Sequence, residues 1–122
     1  MNTELLLNEF TRHLGLPDVV LDRNSECAIE LGHGQYLGMQ CQPDAILLYI
    51  AHPLGVDDLM AYLDASKRAH LAHLREDAFQ LALREMNHRY WLLALSRIPA
   101  AEFSALRGER ACADLRHWLQ SL

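Results

Sequence analysis

The sequence predicts an α+β fold with the order α-β-β-β-α-β-β-α, in which three helices pack on a mostly antiparallel five-stranded sheet. Two observations predict it. The spacing of apolar residues changes from a helical period to an alternating one and back, twice along the chain. The turns between the predicted strands are also short, which favours antiparallel neighbours. The chain has 122 residues, a length that suits one domain over residues 1–122 with one modest core.

The first helix has its apolar residues on one side, at spacings of three and four: Leu6, Leu7, Phe10 and Leu14. Glu4 favours the positive end of the helix dipole. Gly15 suits the left-handed conformation that commonly follows a last helical turn. Pro17 prevents the helix from continuing, so an extended segment is expected to follow.

Three strands are predicted next, as an antiparallel meander. Apolar residues alternate over 27–31 and again over 37–41, with a turn at His33-Gly34 between them. Residues 45–51 form a nearly continuous apolar run, which indicates a central strand covered on both faces. Pro53 is expected to end this strand.

The second half repeats the change of period. Residues 55–75 return to helical spacing, as one helix or two pieces. Residues 79–83 and 90–98 then predict a second hairpin, with residues 85–88 as its loop. A C-terminal helix is predicted over residues 101–121.

Composition and charge exclude several classes of protein. The formal net charge of −5 leaves no basic surface for nucleic acid. No apolar run approaches the about 20 residues of a membrane-spanning helix, so membrane insertion is not expected. The first residues lack the basic region of a secretory signal, and the three cysteines suggest free thiols. We therefore expect a cytoplasmic protein.

No catalytic or cofactor site is predicted. His70 and His73 share a helical face, but two ligands do not complete a structural zinc site. Cys27 and Cys41 occupy strand positions typical of structural thiols. No glycine-rich loop precedes a helix in the way that phosphate binding requires. We expect no enzyme activity, no metal and no cofactor.

The chain has more apolar surface than one small core readily absorbs. The first helix, the arm at residues 91–95 and a patch in the middle helix all contribute to it. Apolar patches that stay uncovered on a protein surface usually mark interfaces with partners. The other reading is that the three predicted helices cover all of these residues.

The opening helix and the element order resemble those of the class I type III secretion chaperones, the family of the Tir chaperone. The similar residues at the start are Leu7, Phe10, Leu14, Gly15 and Leu16, followed by Pro17. Near the C-terminus, Trp118-Leu119 and then Leu122 resemble the ending of the family's last helix. The chain departs from the family at residues 64–77, which are polar and helix-prone where many members carry a glycine-rich segment.

The resemblance implies a cytoplasmic homodimer without enzyme activity or cofactor. Such a chaperone binds the N-terminal chaperone-binding segment of one or a few secreted effectors and keeps it soluble and competent for secretion. The secretion ATPase is a further partner that the resemblance implies.

In this interpretation, residues on and near the first helix contact the effector: Leu6, Phe10, Leu37, Met39 and Tyr49. The middle helix and the second hairpin build the two-fold interface, through Leu59, Met60, Leu63, Trp91, Leu93 and Leu95.

Two other interpretations stay open. A chaperone-like protein can bind a transcriptional regulator instead of an effector, through the same kind of surface. A small ligand-binding or enzymatic α+β domain would instead use a pocket lined by Cys27, Cys41 and neighbouring histidines.

Overall fold

The computed structural model describes residues 3–55, 58 and 80–120, and these residues confirm the α+β fold. They contain α1 (Thr3–His13), β1 (Glu26–Gly32), β2 (Gln35–Cys41), β3 (Ala45–Leu54), β4 (Gln80–Met86), β5 (Arg89–Pro99) and α2 (Ala105–Gln120). The predicted middle helix falls almost entirely on residues outside the described ones. The described part of the chain thus holds the first and last of the three predicted helices.

The sheet has the order β1-β2-β3-β5-β4, and every neighbouring pair is antiparallel. The meander and the second hairpin are therefore confirmed. β3 is the central strand, as its apolar run predicted, and pairs with β5 from Ala45↔Pro99 to Leu54↔Tyr90. Because β3 lies between β2 and β5, both of its edges are hydrogen-bonded over most of its length.

Two strand ends differ from the prediction. The loop of the second hairpin is shorter than residues 85–88, because pairing continues to Met86↔Arg89. Asn87 and His88 alone make the turn, with φ of 54° and 61°, the left-handed values that a tight two-residue hairpin needs. Pro53 does not end β3, since it pairs with Trp91 of β5 beyond the point where pairing with β2 stops at Ala51. A proline is tolerated where one edge of the strand needs no donor.

The C-terminal helix begins later than residue 101. Residues Ala100–Glu102 form a short 3-10 turn, and α2 starts at Ala105. The Ser104 hydroxyl accepts a hydrogen bond from the Arg107 N–H at 3.1 Å. A serine in this position satisfies a backbone donor that the first helical turn leaves unpaired, so it fixes where the helix begins.

The end of α1 agrees with the sequence. Gly15 has φ of +71°. The Leu16 N–H donates to the Thr11 carbonyl at 2.8 Å, and the Gly15 N–H donates to the Arg12 carbonyl at 3.0 Å. This pair of bonds is the Schellman arrangement, which closes a helix through a left-handed residue.

Both described α-helices pack on one face of the sheet and enclose the main core. Its largest fully buried side chains are Phe10, Leu7, Leu37, Met39, Ile46, Leu48, Ile50, Ile98 and Leu115. The Phe10 ring lies edge-on to the Phe103 ring, with 5.7 Å between centroids. It also lies directly against the backbone of α2 at Gly108, where an added Cβ would come within 2.7 Å of Phe10 Cδ1. The missing side chain at Gly108 therefore sets how closely the two helices approach.

We predict that Gly108→Ala destabilises the protein, although alanine is intrinsically the better helix former by about 1 kcal/mol. The new methyl group has to displace the buried Phe10 ring, and overpacking of this kind costs ~1–3 kcal/mol. We expect a net loss of about 1 kcal/mol in the free energy of unfolding, measured by urea denaturation. Ala113→Gly, at an exposed position of α2, calibrates the helix propensity. A Gly108→Ala protein more stable than the parent would show that the ring moves without cost.

Candidate protein-binding surfaces

The two faces of the sheet have different surroundings. The helix-covered face carries Leu37, Met39, Leu48, Ile50 and Ile98 and packs against α1 and α2. The opposite face carries a second apolar cluster, which we call the aromatic face: Tyr36, Tyr49, Ala51, Ala82, Trp91, Leu93 and Leu95. Strand residues alternate between the two faces, and β2, β3, β4 and β5 each contribute to both clusters.

The five residues predicted to bind an effector do not share one surface. Phe10, Leu37 and Met39 are 0%, 1% and 0% exposed, within the core under the helices. Tyr49 is 6% exposed and belongs to the aromatic face. Leu6 is only partly buried, at the rim of the core. Their role in effector binding stays a prediction, and in this structure Leu6 is the member with the most accessible surface.

Three of the six predicted dimer residues are described. Trp91, Leu93 and Leu95 all lie on the aromatic face, as their alternation along β5 requires. Leu93 is buried, while the other two are partly buried. Leu59, Met60 and Leu63 lie outside the described residues. The predicted dimer interface therefore stays a prediction.

A chain of polar contacts crosses the aromatic face. The Tyr49 hydroxyl donates a hydrogen bond to the Glu26 carboxylate. Arg84 Nη1 lies 3.5 Å from the same Glu26 oxygen. Burial, followed by the hydrogen bond to Glu26, raises the pKa of Tyr49 well above its ordinary value. Tyr49 is therefore a neutral donor at physiological pH.

A glycine on the neighbouring strand β2, Gly38, leaves the space that the Tyr49 ring needs for these contacts. A Cβ on Gly38 would lie 1.8 Å from Tyr49 Cζ, so the Tyr49 ring occupies the place of the missing side chain. Glu26 comes from one edge strand and Arg84 from the other, and their side chains meet above the middle of the sheet. Sequence reasoning missed both residues, because they lie far apart in the sequence and on opposite edge strands of the sheet.

A cleft of about 360 Å³ opens beside these contacts, and we call it the aromatic-face cleft. Its lining combines aromatic, small and polar residues: Asp22, Asn24, Glu26, Cys27, Ala28, Tyr36, Tyr49, Ala51, Arg84, Met86, Asn87 and Trp91. The rings of Tyr36 and Trp91 meet edge to face, with 5.6 Å between centroids. The indole N–H of Trp91 is buried and has no hydrogen-bond acceptor among the described residues.

A second, smaller cavity lies on the other side of the sheet, between the end of α1, β1 to β3 and α2. This interhelix groove measures about 180 Å³ and is lined by Leu14, Leu31, Leu37, Ile50, Glu109, Cys112, Ala113 and Arg116. Most of its lining is apolar, with Glu109 and Arg116 as the charged members. His13 Nε2 lies 2.5 Å from Glu109 Oε2 and ties α1 to α2 at this site. The groove can therefore accept an apolar side chain.

Among the described residues, the outer edge of β1 is hydrogen-bonded at one end only. The Asp22 N–H donates to the Glu26 carbonyl at 2.9 Å, and the Glu26 N–H donates to Asp22 Oδ1 at 3.0 Å. The Cys41 N–H donates to the Ser25 carbonyl, so the alternate residues Glu26, Ala28 and Glu30 direct their backbone groups away from β2. No described strand pairs with Ala28 and Glu30 on that side.

Among the described residues, Cys27 lines the aromatic-face cleft, whereas neither Cys41 nor a histidine does. Burial raises the pKa of Cys27 to about 11, with smaller contributions from Cys41, Asp22 and Glu26. Burial also raises the pKa of Cys112 to about 12. Both are therefore protonated thiols at neutral pH and poor nucleophiles. Among the described residues, no group of three or more His, Cys, Asp and Glu side chains is placed to hold a metal ion.

Within residues 3–55, 58 and 80–120, neither helix combines the length and the apolar character needed to cross a bilayer.

No protein-family model matches the chain, and no curated protein matches it by sequence. Solved structures do match it. A chain of the HopA1–SchA chaperone–effector complex is 23% identical, with a TM-score of 0.72 over 98% of this chain and 91% of that one. The Yersinia pestis structure of the type III secretion chaperone SycH with a fragment of YscM2 gives 16% identity and a TM-score of 0.65, over 99% of both chains.

The ExsC–ExsE complex gives 20% identity and a TM-score of 0.68, over 95% of this chain and 87% of that one. These matches run through nearly the whole length of the chain, and identities near 20% show a shared fold. The chain thus has the fold of the type III secretion chaperones, which is the fold that its opening helix and element order predicted.

Proposed function

We propose that this protein is a cytoplasmic type III secretion chaperone. In this proposal a homodimer binds the N-terminal chaperone-binding segment of one or a few effectors and keeps it soluble and competent for secretion. The observation that carries the proposal is the full-length match to chains from chaperone–effector complexes. The protein acts by binding alone, without enzyme activity or cofactor, and delivers its client to the export machinery, including the secretion ATPase.

The outer edge of β1 and the interhelix groove support binding of an extended segment. A client strand can add to β1 through the outward backbone groups of Ala28 and Glu30, which gives affinity largely independent of sequence. Leu31, at the end of the same strand, lines the interhelix groove. A client paired with β1 can therefore place an apolar side chain in that groove, which supplies selectivity.

The other predicted residues support binding in different ways in this proposal. Leu6 contacts the client from α1, while Phe10, Leu37 and Met39 form the rigid layer beneath. Trp91, Leu93 and Leu95 contribute to the two-fold interface from the aromatic face, with Leu59, Met60 and Leu63 from the middle segment. Tyr49 supports the client site through the aromatic-face cleft that it lines.

Native mass spectrometry of the protein purified gently from its own bacterium tests the proposal. We expect a dimer of about twice 13.9 kDa that carries one copy of a larger secreted protein. Peptide mapping of the bound protein then identifies the client. If the bound protein is a transcriptional regulator and not an effector, the client belongs to a different class. A bare monomer without any bound protein would contradict the proposal.

The edge of β1 can be tested with a matched pair of variants at Glu30. Glu30→Pro removes an outward backbone donor, whereas Glu30→Thr makes the same change of charge and keeps it. We expect Glu30→Pro to weaken client binding about tenfold and Glu30→Thr to change it little, measured by isothermal titration calorimetry.

Both Glu30 variants should unfold at nearly the parent temperature, because a proline is tolerated where the strand edge is unpaired. Equal client affinity for the two variants would remove the edge of β1 from the binding site. A lowered melting temperature for Glu30→Pro alone would show instead that this N–H serves the fold.

A further inference from the structure

One charged side chain of the interhelix groove has no ion-pair partner among the described residues. Glu109 and Arg116 are the two charged members of the groove lining. The Glu109 carboxylate is bound by His13, which reaches it from the end of α1. None of the salt bridges between described residues includes Arg116, which is an exposed residue of α2. Its guanidinium is therefore available to a carboxylate that a ligand brings.

The two charges of the groove lie too far apart along α2 to neutralise each other. Their positions place Glu109 and Arg116 about 10.5 Å apart along the helix axis, nearly two full turns. Cys112 and Ala113, which also line the groove, lie between them. Burial raises the pKa of Cys112 to about 12, and the charge of Arg116 acts in the opposite direction. The guanidinium is thus close enough to influence the interior of the groove, and its end of the groove is positive.

A client strand paired with β1 can present two side chains to this groove. Leu31, in the last turn of the pleat of β1, lines the groove, so client side chains on the same face of the sheet lie beside it. Side chains two positions apart on a strand share a face and are about 6.5 Å apart. The rise along α2 from Cys112 to Arg116 is about 6 Å. Because these distances are similar, one client side chain can enter the groove while the next on that face reaches the guanidinium.

We propose that the interhelix groove selects a client segment in which an apolar residue and an aspartate or glutamate stand two positions apart, with the apolar side chain between α1 and α2 and the carboxylate on Arg116. This inference rests on the proposed chaperone function and names the chemistry of the client at that site. The formal net charge of −5 favours basic partners in general. A preference for an acidic residue therefore has to come from a local contact.

Three matched peptides test this preference without knowledge of the client. The first is N-acetylated, C-amidated Thr-Val-Thr-Leu-Thr-Glu-Thr-Val, and the other two carry Gln or Lys in place of Glu. Binding is followed in ¹H–¹⁵N spectra of the full-length protein, with the backbone amides of Leu31 and Ala113 as reporters. We expect the Glu peptide to bind about two- to fivefold more tightly than the Gln peptide, which is the effect of one exposed ion pair. The Lys peptide should bind most weakly.

The same preference should depend on salt and on one arginine. At about 1 M salt the Debye length falls to about 3 Å, so the advantage of the Glu peptide should shrink. Arg116→Gln removes the charge, and Arg110→Gln makes the same change at an exposed position of α2 outside the groove lining. We expect Arg116→Gln to bind the Glu and Gln peptides equally and Arg116→Glu to favour the Lys peptide. Arg110→Gln should keep the preference of the parent.

All three variants should unfold near the parent temperature, because both arginines are exposed. Equal affinity of the parent for the Glu and Gln peptides would overturn the proposal, and so would a preference that Arg116→Gln retains. A Lys peptide that binds most tightly would show that net charge governs binding. If no peptide shifts the two reporter amides saturably, the groove does not receive client side chains. None of these results bears on whether a secreted protein copurifies with the chain, so this inference can fail while the chaperone function stands.

Discussion

The pairing of β3 with β5 is the interaction on which the rest of the structure depends. It joins ten residue pairs from Ala45↔Pro99 to Leu54↔Tyr90 and connects the N-terminal meander to the C-terminal hairpin. Among the described strands, β4 joins the sheet by pairing with β5. The last helix, α2, follows the end of β5 in the chain. The Ala100 N–H, just beyond β5, donates to the Asp44 carbonyl just before β3 at 2.8 Å and closes this pairing at one end.

The sheet, with β3 at its centre, has two faces with different surroundings. On one side, the helices cover the sheet, and the contact between Phe10 and Gly108 sets their approach. On the other side, the Tyr49 ring lies against the sheet in the space that Gly38 leaves open. In both places the residue is a glycine, and a ring from a neighbouring element occupies the space that a side chain would fill. The contact of Phe10 with Gly108 lies in the main core, whereas Tyr49, which contacts Gly38, lines the aromatic-face cleft.

Within the described residues, this division leaves shallow surfaces on both faces of the sheet. Residues of β1 contribute to the interhelix groove, to the outer edge of the sheet and to the aromatic-face cleft. A chain held along such a path is recognised mainly through its backbone and a few apolar side chains. Burial raises the pKa of Cys27, Cys112 and Tyr49, so these three groups are neutral at physiological pH.

The sequence by itself determined the class of fold, the order of the described elements, the central strand and the end of α1, because periodicity and turn residues act over a few neighbouring positions. It misplaced the ends of β3 and of the second hairpin, where pairing with β5 outweighs the local preference of Pro53 and the loop residues. Only the tertiary structure decided which apolar residues are accessible. Phe10 and Leu6 look alike on a helical projection, yet α2 buries one and leaves the other at the rim. The ion pair of Glu26 with Arg84 likewise joins residues of opposite edge strands that no local pattern relates.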